Sequence, residues 1–111
     1  MDNNIRIIKR GCWYELLIND VPAGRMEVCS SSNLENAVEV WSFRISEGYQ
    51  GLGFGQRFLR EIIGRHEKNT IILFVYKLNA RALHIYEKLG FRIVGEYMCG
   101  EAWEMRLLPQ N

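Results

Sequence analysis

Between Ile45 and Phe58 the chain changes its rule of construction. Residues 37–45 alternate as a strand does. Glu39, Trp41, Phe43 and Ile45 fall on one face, and Val38, Val40, Ser42 and Arg44 on the other. Further on, Phe54, Phe58, Leu59, Ile62 and Ile63 recur at helical spacing. The join is Gln50-Gly51-Leu52-Gly53-Phe54-Gly55, three alternating glycines at a strand-to-helix junction. Glycine lets a backbone turn sharply and lets a ligand approach the amides. The helix start adds unpaired N–H groups and the positive end of its dipole. Such a junction suits a phosphate or pyrophosphate, or else it is a tight turn that binds nothing. Two well-known phosphate loops do not fit. The dinucleotide fingerprint needs Gly-x-Gly-x-x-Gly, but position 56 is Gln; the P-loop's Gly-Lys-Ser/Thr is absent.

The rest of the chain frames that junction. Ile5 to Lys9 and Trp13 to Ile18 read as strands. Residues 19–24, Asn-Asp-Val-Pro-Ala-Gly, carry turn chemistry, and Arg25 to Val28 follows as the hairpin partner. Thr70 to Val75 is nearly all apolar, as a strand buried on both faces would be. A helix is expected from Ala80 to Leu89, stopped by Gly90, with last strands over Arg92–Cys99 and Ala102–Leu108. The order predicts a mixed α/β (α+β) sheet flanked by helices. At 111 residues, with no repeat or linker, residues 1–111 are expected to form one domain.

Composition removes several function classes. Fourteen basic against thirteen acidic residues leave a net charge of +1, which argues against non-specific nucleic-acid binding. No apolar run approaches the roughly 20 residues that span a bilayer. Met1-Asp2-Asn3-Asn4 lacks a signal pattern, so a cytoplasmic protein is expected. Cys12, Cys29 and Cys99 form no Cys-x-x-Cys pair and read as small semi-buried thiols. His66 and His84 read as surface residues, and no metal is expected.

A second motif narrows the choice. Asn79-Ala80-Arg81-Ala82-Leu83-His84-Ile85-Tyr86-Glu87-Lys88-Leu89-Gly90-Phe91 follows the buried strand. It resembles the Asn-x-x-Ala-x-x-aliphatic-Tyr-x-x-x-Gly-Phe segment of the GNAT superfamily of N-acetyltransferases. The glycine segment resembles that superfamily's Gln/Arg-x-x-Gly-x-Gly/Ala loop, with Gln50, Gly53 and Gly55 at the fixed positions. The resemblance implies a mostly antiparallel central sheet whose central strand pair splays apart. It implies acetyl-CoA as cosubstrate and a primary amine of a small molecule, protein or peptide as acceptor.

Residue by residue, the resemblance assigns the pyrophosphate to Gln50 and to amides within Gly51, Leu52, Gly53, Phe54, Gly55 and Gln56. It assigns the pantetheine arm to the Phe43 and Ile45 backbones and to Asn79, and polarisation of the acetyl carbonyl to the Phe43 amide. Tyr86 becomes the acid for the departing thiolate, and Glu39, or water, the base. The residues also allow a core role for Tyr86 and a plain helix-capping role for Asn79. One departure stands out: the family places two helices between its first two strands, and here only Arg10-Gly11-Cys12 separates Lys9 from Trp13. A bare sheet face is therefore expected, and with it a homodimer. The alternative in another class is a non-catalytic acetyl-CoA-binding sensor or interaction module.

Overall fold

The computed structural model describes residues 4–110. Seven strands form one sheet: β1 (Ile5–Arg10), β2 (Trp13–Ile18), β3 (Val21–Ser30), β4 (Ala37–Ile45), β5 (Thr70–Tyr76), β6 (Arg92–Tyr97) and β7 (Ala102–Leu107). Their order is β1-β2-β3-β4-β5-β7-β6, and only β4 and β5 pair in parallel. Helix α1 (Phe54–Arg65) makes the crossover between them, and α2 (Ala80–Lys88) joins β5 to β6. This is the mixed, mostly antiparallel sheet expected from the sequence.

Both helices pack on the same face. Phe58, Leu59 and Ile62 of α1 are fully buried against Met26, Val28, Val40, Leu73 and Met105. Ala82, Leu83 and Tyr86 of α2, with Leu89 at its C-terminal cap, pack on the same cluster. Each fully buried apolar side chain of this size contributes about 1.5–3 kcal/mol. Among the described residues no helix lies on the opposite face. Gly11 and Cys12 turn β1 directly into β2, so no crossover passes that way.

Three local features differ from the sequence reading. The β2–β3 turn is only Asn19-Asp20, both in the left-handed region (φ 52° and 66°), the geometry of a two-residue hairpin. Strand β3 therefore starts at Val21, and Pro22 lies within it opposite Leu17. Strand β6 stops at Tyr97, because Met98, Cys99 and Gly100 all turn left-handed. Cys12 and Cys99 are exposed rather than semi-buried, and Cys29 is intermediate.

A fourth difference matters most. Arg25 faces Arg44 and Glu27 faces Trp41, so Met26 on β3 opposes two residues, Ser42 and Phe43, on β4. This is a β-bulge, with Ser42 at φ 54°. A left-handed backbone at a non-glycine residue stores on the order of 1–3 kcal/mol, and such strain gathers at functional sites. The extra residue inverts the facing of everything after it. Val38 and Val40 point into the helix-covered core, and so do Phe43 and Ile45. Glu39 and Trp41 point to the open face, where Trp41 stacks on Phe74. The expectation that Glu39, Trp41, Phe43 and Ile45 share one face is corrected: the first two and the last two lie on opposite sides. Strict alternation failed because it assumes an unbroken ladder.

Candidate active site

β4 and β5 stay paired only from Ala37–Thr70 to Glu39–Ile72. Beyond this, β4 follows β3 and β5 follows β7, and the two strands splay. Two cavities meet at the opening. One, of about 410 Å³, lies on the helix side between the glycine loop and α2. The other, of about 360 Å³, runs through the gap between the strands toward the open face. Phe43, Asn79 and Tyr86 line both, so the two spaces adjoin at these residues.

The glycines serve this groove for different reasons. Gly51 (φ 76°) and Gly53 (φ 86°) occupy the left-handed region, and a Cβ at either would meet nothing within 4 Å. The loop therefore borders open space. Gly55 instead permits contact: a Cβ there would sit 3.3 Å from Ile45 Cγ1, so its absence lets α1 approach β4. The Gln50 side-chain amide donates to the Ile45 carbonyl at 2.8 Å and ties the loop to the strand. The first hydrogen bond of α1 runs from the Arg57 amide to the Gly53 carbonyl at 3.1 Å. The amides ahead of Arg57 are free for an anion, at the positive end of a 12-residue helix.

Gln50, Gly51, Gly53, Gly55 and Gln56 line the helix-side groove with Phe43, Ile45 and Asn79. Leu52 and Phe54 do not; they border a separate hollow with Ile18 and Val21. Arg57, on α1, also points elsewhere, toward Ile5, Ile7 and Leu16. The arginine that lines the groove is Arg81, in the first turn of α2, which sequence reasoning passed over. The available signal was an arginine two residues after a capping Asn, facing the glycines across one groove.

The second motif explains itself as helix engineering. The Asn79 side-chain oxygen accepts from the Ala82 amide at 3.2 Å and caps α2. At the other end Gly90 takes φ 106°, its amide donates to the Glu87 carbonyl at 3.1 Å, and the Phe91 amide donates to the Tyr86 carbonyl at 3.0 Å. This is a Schellman cap, with fully buried Phe91 beside Tyr86 at 6.1 Å between ring centroids. The cap orients Tyr86, which packs against the core and also lines both cavities. Burial pushes its phenol above the ordinary tyrosine value, so it holds its proton at neutral pH.

Glu39 stands where the last β4–β5 pair ends. Its carboxylate accepts from Trp41 Nε1 and from Ser31 Oγ, each at 2.9 Å. It does not line either cavity. Trp41 stacks on Phe74 at 4.7 Å, and Phe74 meets Tyr97 at 4.2 Å. Trp13 lies on the open face too, under the Arg25 guanidinium. Trp103 packs on the core with the Lys77 ammonium 4.0 Å above its ring. Among the described residues no group of three or more His, Cys, Asp or Glu could hold a metal ion.

Comparison with known proteins agrees with this geometry. A family model described as "Acetyltransferase (GNAT) family" matches residues 2–91. The chain belongs to the acetyltransferase (GNAT) family. It is 29% identical over 91 residues to spermine/spermidine N(1)-acetyltransferase of Bacillus subtilis (strain 168), covering 78% of this chain and 60% of that protein. It is 37% identical over 57 residues to N-alpha-acetyltransferase RimI of Mycobacterium tuberculosis, covering 51% of this chain and 36% of that protein. The chain thus spans 60% or less of the length of these two curated relatives. Among solved structures, the ribosomal-protein-S18-alanine N-acetyltransferase of Escherichia coli superposes with a TM-score of 0.76 at 23% identity, covering 96% of this chain and 71% of that one. This establishes the shared GNAT fold. Among the described residues no helix is long and apolar enough to cross a membrane.

Proposed function

We propose that this GNAT chain is an acetyl-CoA-dependent N-acetyltransferase that moves an acetyl group to a primary amine by direct attack in a ternary complex. The observation that carries the reading is that the two cavities adjoin at Phe43, Asn79 and Tyr86, which line both. A cosubstrate on the helix side and an acceptor from the open side would meet at these residues.

The residues present fit acetyl-CoA. The free amides of the loop, at the start of α1 and beside Arg81, suit a pyrophosphate. Backbone groups left without a ladder partner by the splay and the bulge suit an extended arm with two amides. The Phe43 amide is assigned to the acetyl oxygen, where a donor stabilises charge as the amine attacks. The amine nitrogen bonds to the acetyl carbon and the carbon–sulfur bond breaks. Tyr86 supplies the proton to the departing sulfur. The proton lost by the amine passes to Glu39 through water, since Glu39 stands outside the cavity lining.

A homodimer belongs to the same proposal, on the ground that among the described residues one sheet face carries no helix; a cytoplasmic setting is proposed with it, as the sequence expects. A second reading, a non-catalytic acetyl-CoA-binding module, is favoured by that same bare face, which lacks the wall two helices would provide. One experiment separates them: free thiol released from acetyl-CoA in the presence of a panel of primary amines. Amine-dependent release supports the enzyme. Acetyl-CoA binding by calorimetry without release from any amine supports the module.

A further inference from the structure

The cavity that crosses the sheet has a lining of unusual character. Among the described residues no Asp, Glu, Lys, Arg or His lines it. Its open-face side is an aromatic wall: Trp41 on Phe74 (4.7 Å, 27° between planes), Phe74 against Tyr97 (4.2 Å), and Trp41 against Tyr97 (6.2 Å). The wall joins three strands that are far apart in sequence, β4, β5 and β6. Tyr97 is 39% exposed and neighbouring Met98 47%, so the wall meets solvent at its rim.

Two carboxylates on the open face beside the wall are already engaged. Glu39 is held by Trp41 and Ser31. Glu104, opposite Phe74 in register, is held by Arg106 at 2.8 Å. Neither lines the cavity, so neither offers a free counter-charge inside it. The bond from Trp41 Nε1 to Glu39 has a further consequence: it fixes the indole flat against Phe74, which makes Glu39 a positioning residue for the wall.

Resting on the acetyltransferase reading above, we propose that the acceptor is a small amine carried on an apolar, ring-bearing body that seats against Trp41, Phe74 and Tyr97, and not a polycation. At about 360 Å³ the space is near the lower end of small-ligand sites, which run from about 300 to 1,000 Å³. It adjoins the transfer point, because Phe43, Asn79 and Tyr86 line both cavities. A second ammonium in a charge-free cavity would be desolvated without a partner, which is costly. A single reacting amine gains instead, because the same desolvation favours its neutral, nucleophilic form. Ring-on-ring contact contributes about 0.5–1.5 kcal/mol beyond burial for each pair, or about 2- to 13-fold in affinity.

The test has two arms. In the first, 2-phenylethylamine, hexylamine and spermidine are compared by thiol release from acetyl-CoA. The expected kcat/KM order is phenylethylamine, then hexylamine, then spermidine, with about tenfold or more between first and last. In the second, phenylethylamine and spermidine are titrated calorimetrically into the protein saturated with CoA, which reads acceptor binding without any chemistry. Phenylethylamine is expected to bind, and the Tyr97→Asp variant, which sets a carboxylate in the exposed rim, should weaken it by about tenfold and narrow the gap to spermidine. Tyr97→Phe should bind phenylethylamine as the parent does, which separates loss of the ring from general damage. Spermidine preferred in either arm, or no phenylethylamine binding to the CoA complex, overturns the proposal. Binding of phenylethylamine with no turnover of any amine sustains the proposed seat and fails the catalytic reading instead.

Discussion

One sheet presents two faces built by different means. The helix-covered face is closed with residues such as Phe58, Leu59, Ile62 and Met105, all at 0% exposure. The open face is a patchwork in which rings stack and charges pair: Trp41 on Phe74, Arg25 over Trp13, Arg106 with Glu104. The first face holds the fold together, and the second leaves surface for something else to touch. The strand that serves both is β4. Before Ser42 its inward residues are Val38 and Val40; after Ser42 they are Phe43 and Ile45. One extra residue in the ladder lets a single strand give aliphatic side chains to the core, an aromatic to the open wall and an aromatic to the groove.

The largest expected effect tests whether stability is one-sided. Phe58→Ala should cost about 3–5 kcal/mol in urea unfolding, the usual loss for a fully buried aromatic. Tyr97→Ala on the open face should cost about 1 kcal/mol or less, the scale of a cross-strand aromatic pair. Equal losses would mean that the open face carries as much of the fold as the closed one.

Next is Tyr86, which belongs to the covered face by packing and to the cavities by position. Tyr86→Phe keeps the ring against Phe91 and removes only the hydroxyl. Turnover should fall by about 10²-fold or more, as for loss of a general acid, while CoA affinity changes little. Unchanged turnover would return Tyr86 to packing alone.

The glycine loop gives a smaller effect. Gly53→Val forces a β-branched residue to φ 86° and fills the open space in front of the loop. Calorimetric affinity for acetyl-CoA should drop by about tenfold or more, the scale of losing a hydrogen bond to a charged group. Gly64→Ala, in the last turn of α1 with nothing within 4 Å, should keep the affinity and is the control for helix integrity. Equal affinity in the Gly53 variant would remove the loop from the site.

The smallest effect is a pH dependence of the covered face. His66 Nε2 lies 3.3 Å from the hydroxyl of buried Tyr14, and burial, with Lys9 and Arg65 nearby, pulls its imidazole below the ordinary histidine value. The fold thus prefers neutral His66. Its contribution is complete above about pH 6.5 and is lost as pH falls through the lowered value. The urea midpoint should decline between pH 7 and pH 5, and His66→Gln should flatten that decline. An equal slope in the variant would place the acid sensitivity elsewhere.

Much of this was legible in residues whose role is local. Gly51 and Gly53 marked a left-handed loop, Asn79 a cap, and Gly90-Phe91 a helix stop, because each is dictated by its own backbone. Both helices followed from period and order, and the splay was implied by the family resemblance. What stayed hidden depends on strand partners. The bulge at Ser42 has no sequence signature in a stretch that alternates cleanly, and it moved Phe43 and Ile45 away from Glu39. The Trp41–Phe74–Tyr97 wall joins three strands that no local pattern connects. Arg81 shares a groove with the glycine loop only because α1 and α2 share a face.

The central claim is that the cosubstrate lies on the helix side of the splay while the open face is left for the acceptor. The most direct measurement is a map of backbone amide chemical shifts as CoA is added to the labelled protein. The account predicts large changes at Gly51, Gly53, Gln56, Phe43 and Asn79, and little at Trp13, Glu27 and Cys29 on the open face. Changes concentrated at Trp13, Glu27 and Cys29, with the glycine loop silent, would contradict it.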